Sequence, residues 1–314
     1  MNSVAVFPGQ GAQRVGMGRQ LADAFPAARE VFDEVDAALG DGLSRLIFDG
    51  PEEALTLTRN AQPALFAASL AAWRALESLL GRPLDHHLLC VAGHSLGEYS
   101  ALAAAGCLAV ADGARLLRLR GEAMQEAVPP GEGAMAAIMG LSVAEVEEIA
   151  ARAAEGEVCE LANDNVEGQA VVSGHRTAVE RALALARERG ARRSTMLRVS
   201  APFHCRLMQP AAERLAAALA EVRLHPPAVP LIANVTAAPE RDPERIRRLL
   251  AAQVTGRVRW RESMARMGEM GAARVLEFGA GKVLSGLARR GLPGAEVVSV
   301  QEPEDVYRLA EALS

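Results

Sequence analysis

The stretch Leu88-Leu-Cys-Val-Ala-Gly-His-Ser-Leu-Gly97 decides the fold class. Residues 88–92 form a short apolar run, which predicts a buried strand, and the glycine at position 93 begins a tight turn. Residues 96–105 then have the composition of a helix. A strand, a tight turn and a helix in direct succession are typical of an α/β protein that is built on a parallel sheet.

The rest of the chain repeats this alternation of short apolar runs and helical stretches. Ser3–Phe7 predicts a strand that closes at Pro8-Gly9, and helices are predicted at Leu21–Leu39, Pro63–Leu80 and Asp112–Ala127. Towards the carboxyl terminus the pattern predicts further helices and strands at 206–222, 229–235, 244–253, 273–278, 297–300 and 305–313.

The middle of the chain changes character after Pro129-Pro-Gly-Glu-Gly133, which we interpret as a linker. Beyond it, strand patterns at 134–139, 169–173 and 196–200 alternate with helical patterns at 143–154 and 177–189. We therefore expect a small α+β subdomain in this region.

Composition limits the classes of function. The 314 residues contain 34 Lys+Arg and 39 Asp+Glu, a net charge of -5, and half of them are hydrophobic. This is a globular composition without a general attraction to nucleic acid. Lys282 is the single lysine, so arginine is common and one arginine carries little functional weight by itself.

The four cysteines and the amino terminus indicate a reducing compartment. No two cysteines are spaced as C-x-x-C, and Met1–Gly11 lacks the basic start and apolar run of a signal peptide. The longest stretch without Asp, Glu, Lys or Arg, Leu224–Pro239, is sixteen residues long and contains four prolines. It is too short to span a bilayer, so a cytoplasmic protein that does not enter membranes is expected.

Gly93-His-Ser-Leu-Gly97 matches the pattern G-x-S-x-G. In a strand-turn-helix elbow the central serine is exposed on a sharp turn, and the helix N-terminus can stabilise an oxyanion. The five-residue pattern alone is also compatible with an ordinary glycine-rich turn. Its position between a strand and a helix makes Ser95 the candidate nucleophile.

A serine nucleophile needs a base, and six histidines are available. His204 is favoured because it follows a strand-like run and a proline turn, precedes a helix, and lies after the serine in the chain. No Asp or Glu stands in a comparable position. Asp164 and Glu98 are the nearest acidic candidates, and a backbone carbonyl could hold the histidine instead.

Several motifs in fixed order resemble those of bacterial malonyl-CoA:acyl-carrier-protein transacylases and of the related acyltransferase domains of polyketide synthases. The resemblance covers nearly the whole chain. The motifs are Phe7-Pro-Gly-Gln-Gly-Ala-Gln13, Gly93-His-Ser-Leu-Gly-Glu-Tyr-Ser-Ala-Leu102, Arg118-Leu-Arg-Gly121 with Met124-Gln125, Gly133-Ala-Met-Ala-Ala137, Asn163-Asp-Asn165 with Gly168-Gln169, Pro202-Phe-His-Cys205 and Gly279-Ala-Gly-Lys-Val-Leu284.

The resemblance implies an α/β-hydrolase-like large subdomain with a parallel sheet, at 1–127 and 198–314, and an inserted ferredoxin-like subdomain at 128–197. It implies transfer of a malonyl group from malonyl-CoA to the phosphopantetheine thiol of holo acyl carrier protein, through a malonyl-serine, in fatty acid synthesis. No resident cofactor or metal is expected, and neither is a nucleic-acid partner; a monomer is expected.

The resemblance also assigns roles. Ser95 is acylated, His204 is the base, and a backbone carbonyl at Gln253 orients that histidine. The remaining assignments are the oxyanion-binding N–H groups of Gln10 and Leu96, the malonyl carboxylate site at Arg120, and acyl selectivity at Phe203. A planar guanidinium suits a carboxylate because it can donate two parallel hydrogen bonds.

Three alternatives stay open at this point. The carrier could belong to a polyketide or malonate decarboxylase system, the protein could be a serine thioesterase or carboxylesterase, or it could be a catalytically silent binding subunit. An acidic carrier would need a basic patch, for which three arginine-rich groups are candidates: Arg189, Arg192 and Arg193; Arg257, Arg259 and Arg261; and Lys282, Arg289 and Arg290.

Overall fold

A computed structural model describes residues 2–313, which form two sheets. The first sheet has the strand order β10-β9-β1-β2-β7-β8 and the second has the order β4-β5-β3-β6. The strands are β1 (Ser3–Phe7), β2 (Leu88–Gly93), β3 (Gly133–Met139), β4 (Cys159–Val166), β5 (Gln169–His175), β6 (Arg193–Met196), β7 (Leu231–Ile232), β8 (Pro239–Glu240), β9 (Arg274–Phe278) and β10 (Glu296–Val300).

Fourteen α-helices of residues 2–313 surround these sheets. They are α1 (Arg19–Ala24), α2 (Pro26–Leu39), α3 (Leu43–Asp49), α4 (Glu52–Thr56), α5 (Thr58–Leu80), α6 (Gly97–Ala104), α7 (Val110–Glu126), α8 (Val143–Ala154), α9 (Arg176–Glu188), α10 (Gln209–Glu221), α11 (Pro243–Gln253), α12 (Trp260–Glu269), α13 (Val283–Gly291) and α14 (Pro303–Leu313).

The first sheet is parallel except at one edge, which confirms the predicted α/β class. Strands β10, β9, β1, β2 and β7 are mutually parallel, and only β8 pairs antiparallel to its neighbour. Strand β1 is buried at all five positions, since helices cover both faces of such a sheet. Strands β1 and β2 end side by side at Phe7 and Gly93, so the loops that follow them meet at one edge.

The second sheet is fully antiparallel and has its own core. Its chain order is strand, helix, strand, strand, helix, strand, and the spatial order β4-β5-β3-β6 is the ferredoxin-like arrangement. These strands lie between Gly133 and Met196. The division into subdomains at residues 128 and 197 stays a prediction.

Sequence patterns missed one strand of this sheet. Strand β4 was not predicted because Glu160, Asn163, Asp164 and Asn165 interrupt its hydrophobic pattern. The strand expected at 196–200 was placed too late, since β6 ends at Met196.

One predicted helix also needs correction, and several helices were missed. The helix expected over Leu21–Leu39 is divided at Phe25. Phe25 has an extended conformation because the following proline disfavours the helical conformation in the residue before it. Pro26 then occupies the first turn of α2, where its missing N–H is not needed. Helices α3, α4, α12 and α13 were not predicted.

The elbow after β2 depends on two glycines that permit close backbone contact. A Cβ atom at Gly93 would lie 1.9 Å from the carbonyl oxygen of Gly97. A Cβ atom at Gly97 would lie 2.2 Å from the carbonyl oxygen of Phe7, at the end of β1. The elbow and the first strand can therefore approach each other only without side chains at these positions.

We predict that Gly97→Ala destabilises the fold by about 2–4 kcal/mol, because the backbone of β1 cannot move without disturbing the sheet. The matched control is Gly286→Ala in α13, where no atom lies within 4 Å of the added methyl group. That control should be neutral or stabilise the protein by up to about 1 kcal/mol. Denaturant unfolding measures both variants, and equal stability of Gly97→Ala and wild type would contradict the steric argument.

Candidate active site

Ser95 lies two residues beyond β2 on a strained turn. Its φ is 53°, a left-handed conformation that non-glycine residues rarely adopt. Asn234 holds the turn from the side: its Oδ1 accepts a hydrogen bond from the Ser95 N–H at 2.8 Å, and its Nδ2 donates to the Gly93 carbonyl at 2.7 Å. This arrangement points the Ser95 hydroxyl into the cavity at the edge of the sheet.

His204 contacts Ser95 directly. The distance from Ser95 Oγ to His204 Nε2 is 2.8 Å. On the other side of the ring, Nδ1 lies 2.9 Å from the Gln253 carbonyl oxygen and 3.2 Å from that of Gly256. Because both carbonyls can only accept, Nδ1 carries the proton, and Nε2 is left free to accept one from the serine.

Within residues 2–313, no carboxylate takes part in orienting the His204 ring. Asp164, one of the two acidic candidates from the sequence, is buried and accepts two hydrogen bonds from the Arg261 Nε, each at 3.0 Å. Glu98, the other candidate, contacts Gln253 and Asn234 and not the histidine. The third position of a triad is therefore filled by backbone carbonyls.

The ring of His204 is neutral at rest. Burial lowers its pKa to about 3, and the positive charge of Arg120 acts in the same direction. A neutral imidazole can accept the serine proton without first losing one of its own.

Arg120 is almost fully buried, at 2% exposure, and its guanidinium lies beside the nucleophile. It donates to Ser95 Oγ at 3.0 Å, to Gln253 Oε1 at 2.9 Å and to Gln62 Oε1 at 2.7 Å. Its Nε has no partner within residues 2–313, and no carboxylate of that range forms an ion pair with it. The site thus contains a desolvated cation with room for an anionic ligand.

The neighbouring arginines of α7 differ in this respect. Arg115 pairs with Asp112 at 3.1 Å, and Arg118 pairs with Asp41 at 2.8 Å. Both of these arginines have acidic partners on or near the surface. Arg120, by contrast, is unpaired within residues 2–313 and faces Ser95.

Two backbone amides next to the nucleophile are free to bind an oxyanion. The N–H groups of Gln10 and Leu96 have no acceptor in the described part of the chain, and both residues line the cavity. The loop of Gln10 is held because its side chain donates to Thr58 Oγ1 at 3.2 Å. Preorganised amides of this kind stabilise the negative charge of a tetrahedral intermediate.

The cavity has a volume of about 320 Å³ and opens beside Ser95. Phe203, which is 8% exposed, contributes to its wall. The lining residues are Gln10, Gly11, Gln13, Glu53, Thr56, Leu57, Gln62, His94, Ser95, Leu96, Arg120, Met124, Met135, Asn163, Leu197, Arg198, Val199, Ser200, Phe203 and His204.

Strand β4 brings the second sheet into the site. Asn163 lines the cavity, and Asn165 Oδ1 lies 2.9 Å from Nε2 of His94, the residue before the nucleophile. Sequence reasoning assigned no roles to these asparagines or to Asn234. The motif Asn163-Asp-Asn165 was the available signal for the first two, whereas Asn234 lies in no motif that was noted.

Among residues 2–313, no group of three or more His, Cys, Asp or Glu side chains is placed to hold a metal ion. No helix in the same range is both long and apolar enough to cross a bilayer.

Comparison with known proteins assigns the class. The family of the acyl transferase domain matches residues 4–302. The malonyl CoA-acyl carrier protein transacylase of Escherichia coli K12 is 44% identical over 298 residues, which is 95% of each chain. The chain therefore belongs to the acyl transferase family, among the malonyl CoA-acyl carrier protein transacylases.

Solved structures agree with this assignment. The acyl-carrier-protein-S-malonyltransferase of Bartonella henselae is 52% identical and superposes with a TM-score of 0.97, covering 100% of this chain and 99% of that one. A malonyl-transacylase solved in complex with its type II polyketide synthase acyl carrier protein is 40% identical, with a TM-score of 0.95 over 99% and 100% of the two chains.

The lowered pKa of His204 predicts how Ser95 reacts with an uncharged sulfonylating reagent such as phenylmethylsulfonyl fluoride. Because the neutral form of the ring is lost only as pH falls through about 3, the labelling rate should change less than about twofold between pH 5.5 and 7.5. If the base were an ordinary histidine with a pKa near 6.5, the labelling rate would be about tenfold lower at pH 5.5 than at pH 7.5.

Labelling is followed by intact mass spectrometry. His204→Gln should react slowly at every pH and serves as the control. A tenfold fall in the wild-type rate through pH 6.5 would contradict the assignment of a neutral buried base.

Proposed function

We propose that this enzyme transfers the malonyl group of malonyl-CoA to the phosphopantetheine thiol of an acyl carrier protein through a malonyl-Ser95 intermediate. The observation that carries the proposal is the buried guanidinium of Arg120, which lies 3.0 Å from Ser95 Oγ and forms no direct ion pair among the described residues. Malonyl differs from acetyl by one carboxylate, and a carboxylate is the partner that this guanidinium lacks.

In the first half-reaction, Ser95 Oγ attacks the thioester carbonyl of malonyl-CoA while His204 Nε2 takes its proton. The N–H groups of Gln10 and Leu96 stabilise the oxyanion of the tetrahedral intermediate. The intermediate collapses to malonyl-Ser95, and the proton on His204 passes to the departing coenzyme A thiolate. The malonyl carboxylate accepts hydrogen bonds from the guanidinium N–H groups of Arg120.

In the second half-reaction the pantetheine thiol of the carrier attacks the malonyl ester. His204, neutral again, takes the thiol proton and then returns it to Ser95 Oγ as the serine leaves. The products are a thioester on the carrier and the free enzyme, so the donor malonyl-CoA and the acceptor thiol use one site in turn. The chemistry uses side chains and amides of this chain only, and we infer that it needs no resident cofactor.

The charge in the cavity argues against an esterase for neutral acyl groups, and the relatives favour transfer over hydrolysis. An esterase that accepts neutral acyl groups has no use for a buried, unpaired guanidinium beside its serine, because such a group is costly to desolvate. The names of the relatives specify an acyl carrier protein as the acceptor, which supports transfer. We expect the enzyme to supply fatty acid synthesis in the cytoplasm.

The three arginine-rich groups considered as carrier-binding patches differ in how far they are already paired. In the second group, Arg257, Arg259 and Arg261 all form ion pairs, with Glu147, Glu262 and Asp164. Free charge is left in the other two groups. Within the described range no ion pair is formed by Arg192 and Arg193 of the first group or by Lys282 and Arg289 of the third. The second group is therefore the weakest candidate of the three.

The proposal is tested by mixing the protein with malonyl-CoA alone and measuring intact mass. We expect a stable adduct of one malonyl group, absent from Ser95→Ala and discharged by added holo acyl carrier protein. Cys205→Ala, a substitution at a buried thiol next to His204, is the control for labelling elsewhere. Rapid release of free malonate without an acceptor would indicate a hydrolase, and no adduct with no turnover would contradict the proposal.

Phe203 is proposed to limit the size of the acyl group, because its ring forms part of the cavity wall. We predict that Phe203→Ser raises the ratio of methylmalonyl to malonyl transfer by about tenfold, as expected for making room for one methyl group. Leu57→Ser, at the exposed mouth of the same cavity, should leave the ratio unchanged. Steady-state kinetics with both donors measure the ratio, and no gain in Phe203→Ser would contradict the steric account.

A further inference from the structure

One buried acidic group of the site has no part in the reaction described above. Glu98 lies in the first turn of α6, three residues after the nucleophile, and is 1% exposed. Its Oε1 accepts from the Asn234 N–H at 3.3 Å, and its Oε2 accepts from Gln253 Nε2. No arginine, lysine or histidine of residues 2–313 forms an ion pair with it.

The side-chain amide of Gln253 connects Glu98 to the substrate-binding arginine. Its Oε1 accepts from Arg120, and its Nε2 donates to Glu98 and to the Ser95 carbonyl, the latter at 2.9 Å. The orientation of the amide is fixed by these partners, since the flipped form would turn the NH₂ group towards a cation and the oxygen towards two acceptors. The amide dipole therefore lies between a positive and a negative group.

This geometry accounts for how a buried guanidinium is tolerated before substrate arrives. Arg120 and Glu98 are both desolvated, each lacks a direct ionic partner, and one amide separates them. In an interior of low dielectric constant, opposite charges at that separation still attract each other appreciably. Glu98 is thus the nearest available compensation for the charge of Arg120.

We propose that Glu98 is the resting counter-charge of Arg120, acting through the Gln253 amide, and that it takes up a proton from solvent when the malonyl carboxylate replaces it. The proposal rests on the proposed function, because it requires malonyl to bind at Arg120. It makes Glu98 a positioning residue that couples binding of the charged acyl group to protonation.

The direction of the coupling follows from the charges around Glu98. Burial raises its pKa to about 7, against the lowering effects of the Gln253 and Asn234 hydrogen bonds and of the Arg120 charge. A bound malonyl carboxylate cancels the Arg120 charge and adds a negative one, and both changes raise the pKa further. The other titratable group that interacts with Glu98 is the phenol of Tyr99, which stays neutral because burial raises its pKa.

The proton is added to a carboxylate oxygen and forms an O–H bond. Oε1 is the favoured oxygen, since the hydrogen bond that it accepts, at 3.3 Å, is the longer and weaker of the two. The Gln253 contact to Oε2 is retained, so the amide keeps its orientation towards Arg120.

The test is calorimetric titration of malonyl-CoA into Ser95→Ala at pH 7.5, in buffers of different ionisation enthalpy, which gives the number of protons taken up on binding. We expect uptake of about half a proton per malonyl-CoA, since a group with a pKa near 7 is mostly ionised at rest at this pH. Acetyl-CoA has the same nucleotide phosphates and no acyl carboxylate, so its binding should take up about half a proton less than the binding of malonyl-CoA. Equal proton counts for the two ligands would overturn the proposal without any further variant.

Two further proteins identify the group. Ser95→Ala with Glu98→Gln should lose the difference between malonyl-CoA and acetyl-CoA. Ser95→Ala with Glu277→Gln should keep it, because Glu277 is a buried carboxyl held by Leu284 and Ser285 of α13 and not by Gln253 or Asn234. A purely structural Glu98 would alter affinity for both ligands alike and leave their proton difference in place, which would contradict the proposal.

Failure of the proposed function has a different signature. In that case wild-type protein would not acquire the malonyl adduct at all, and the counter-charge proposal would fail with it. Formation of the adduct together with equal proton counts would overturn the counter-charge alone.

Discussion

The structure is organised around a desolvated positive charge next to a nucleophile. Arg120 is buried beside Ser95, and its guanidinium is surrounded by neutral oxygens from Gln62, Gln253 and the serine itself. Burying a cation without a direct carboxylate partner is costly, so the surrounding amides must be held in fixed orientations. Gln253 meets this requirement with its side chain, and its backbone carbonyl lies 2.9 Å from His204 Nδ1, so one residue contacts both Arg120 and His204.

The parallel sheet supplies the rigid frame for this arrangement. The ends of β1 and β2 lie side by side, and glycines 93 and 97 let the elbow approach the first strand closely. The left-handed φ of Ser95, 53°, is maintained because Asn234 holds the turn through hydrogen bonds on both sides of it. Strain at the nucleophile is thus balanced by contacts from the loop after β7, far away in the sequence.

Much of this could be predicted from sequence, because the decisive signals are local. The strand, turn and helix around Ser95 follow from the apolar run and the glycines, and the ordered motifs indicate the acyl transferase family. Ser95, His204 and Arg120 were also expected to share one site, and the structure places His204 and Arg120 each within hydrogen-bonding distance of the Ser95 hydroxyl.

What sequence reasoning missed are contacts between distant residues. Strand β4 has a polar sequence because its asparagines and aspartate face the site and the neighbouring loop rather than a core, which hides its strand pattern. Asn234 and Glu98 act through partners more than a hundred residues away, and no local pattern shows such a pairing. The division of the large helix at Pro26, by contrast, was visible in the sequence and was overlooked.

The central claim is that the guanidinium of Arg120 selects the acyl group by pairing with its carboxylate. The most direct test compares kcat/KM for malonyl-CoA and acetyl-CoA in wild type, Arg120→Ala and Arg120→Lys. The account predicts that Arg120→Ala loses about 10²–10³-fold with malonyl-CoA and far less with acetyl-CoA, with Arg120→Lys between the two because it keeps the charge but not the planar fork. Equal losses with both donors would show that Arg120 supports the fold of the site without recognising the carboxylate, and would contradict the account.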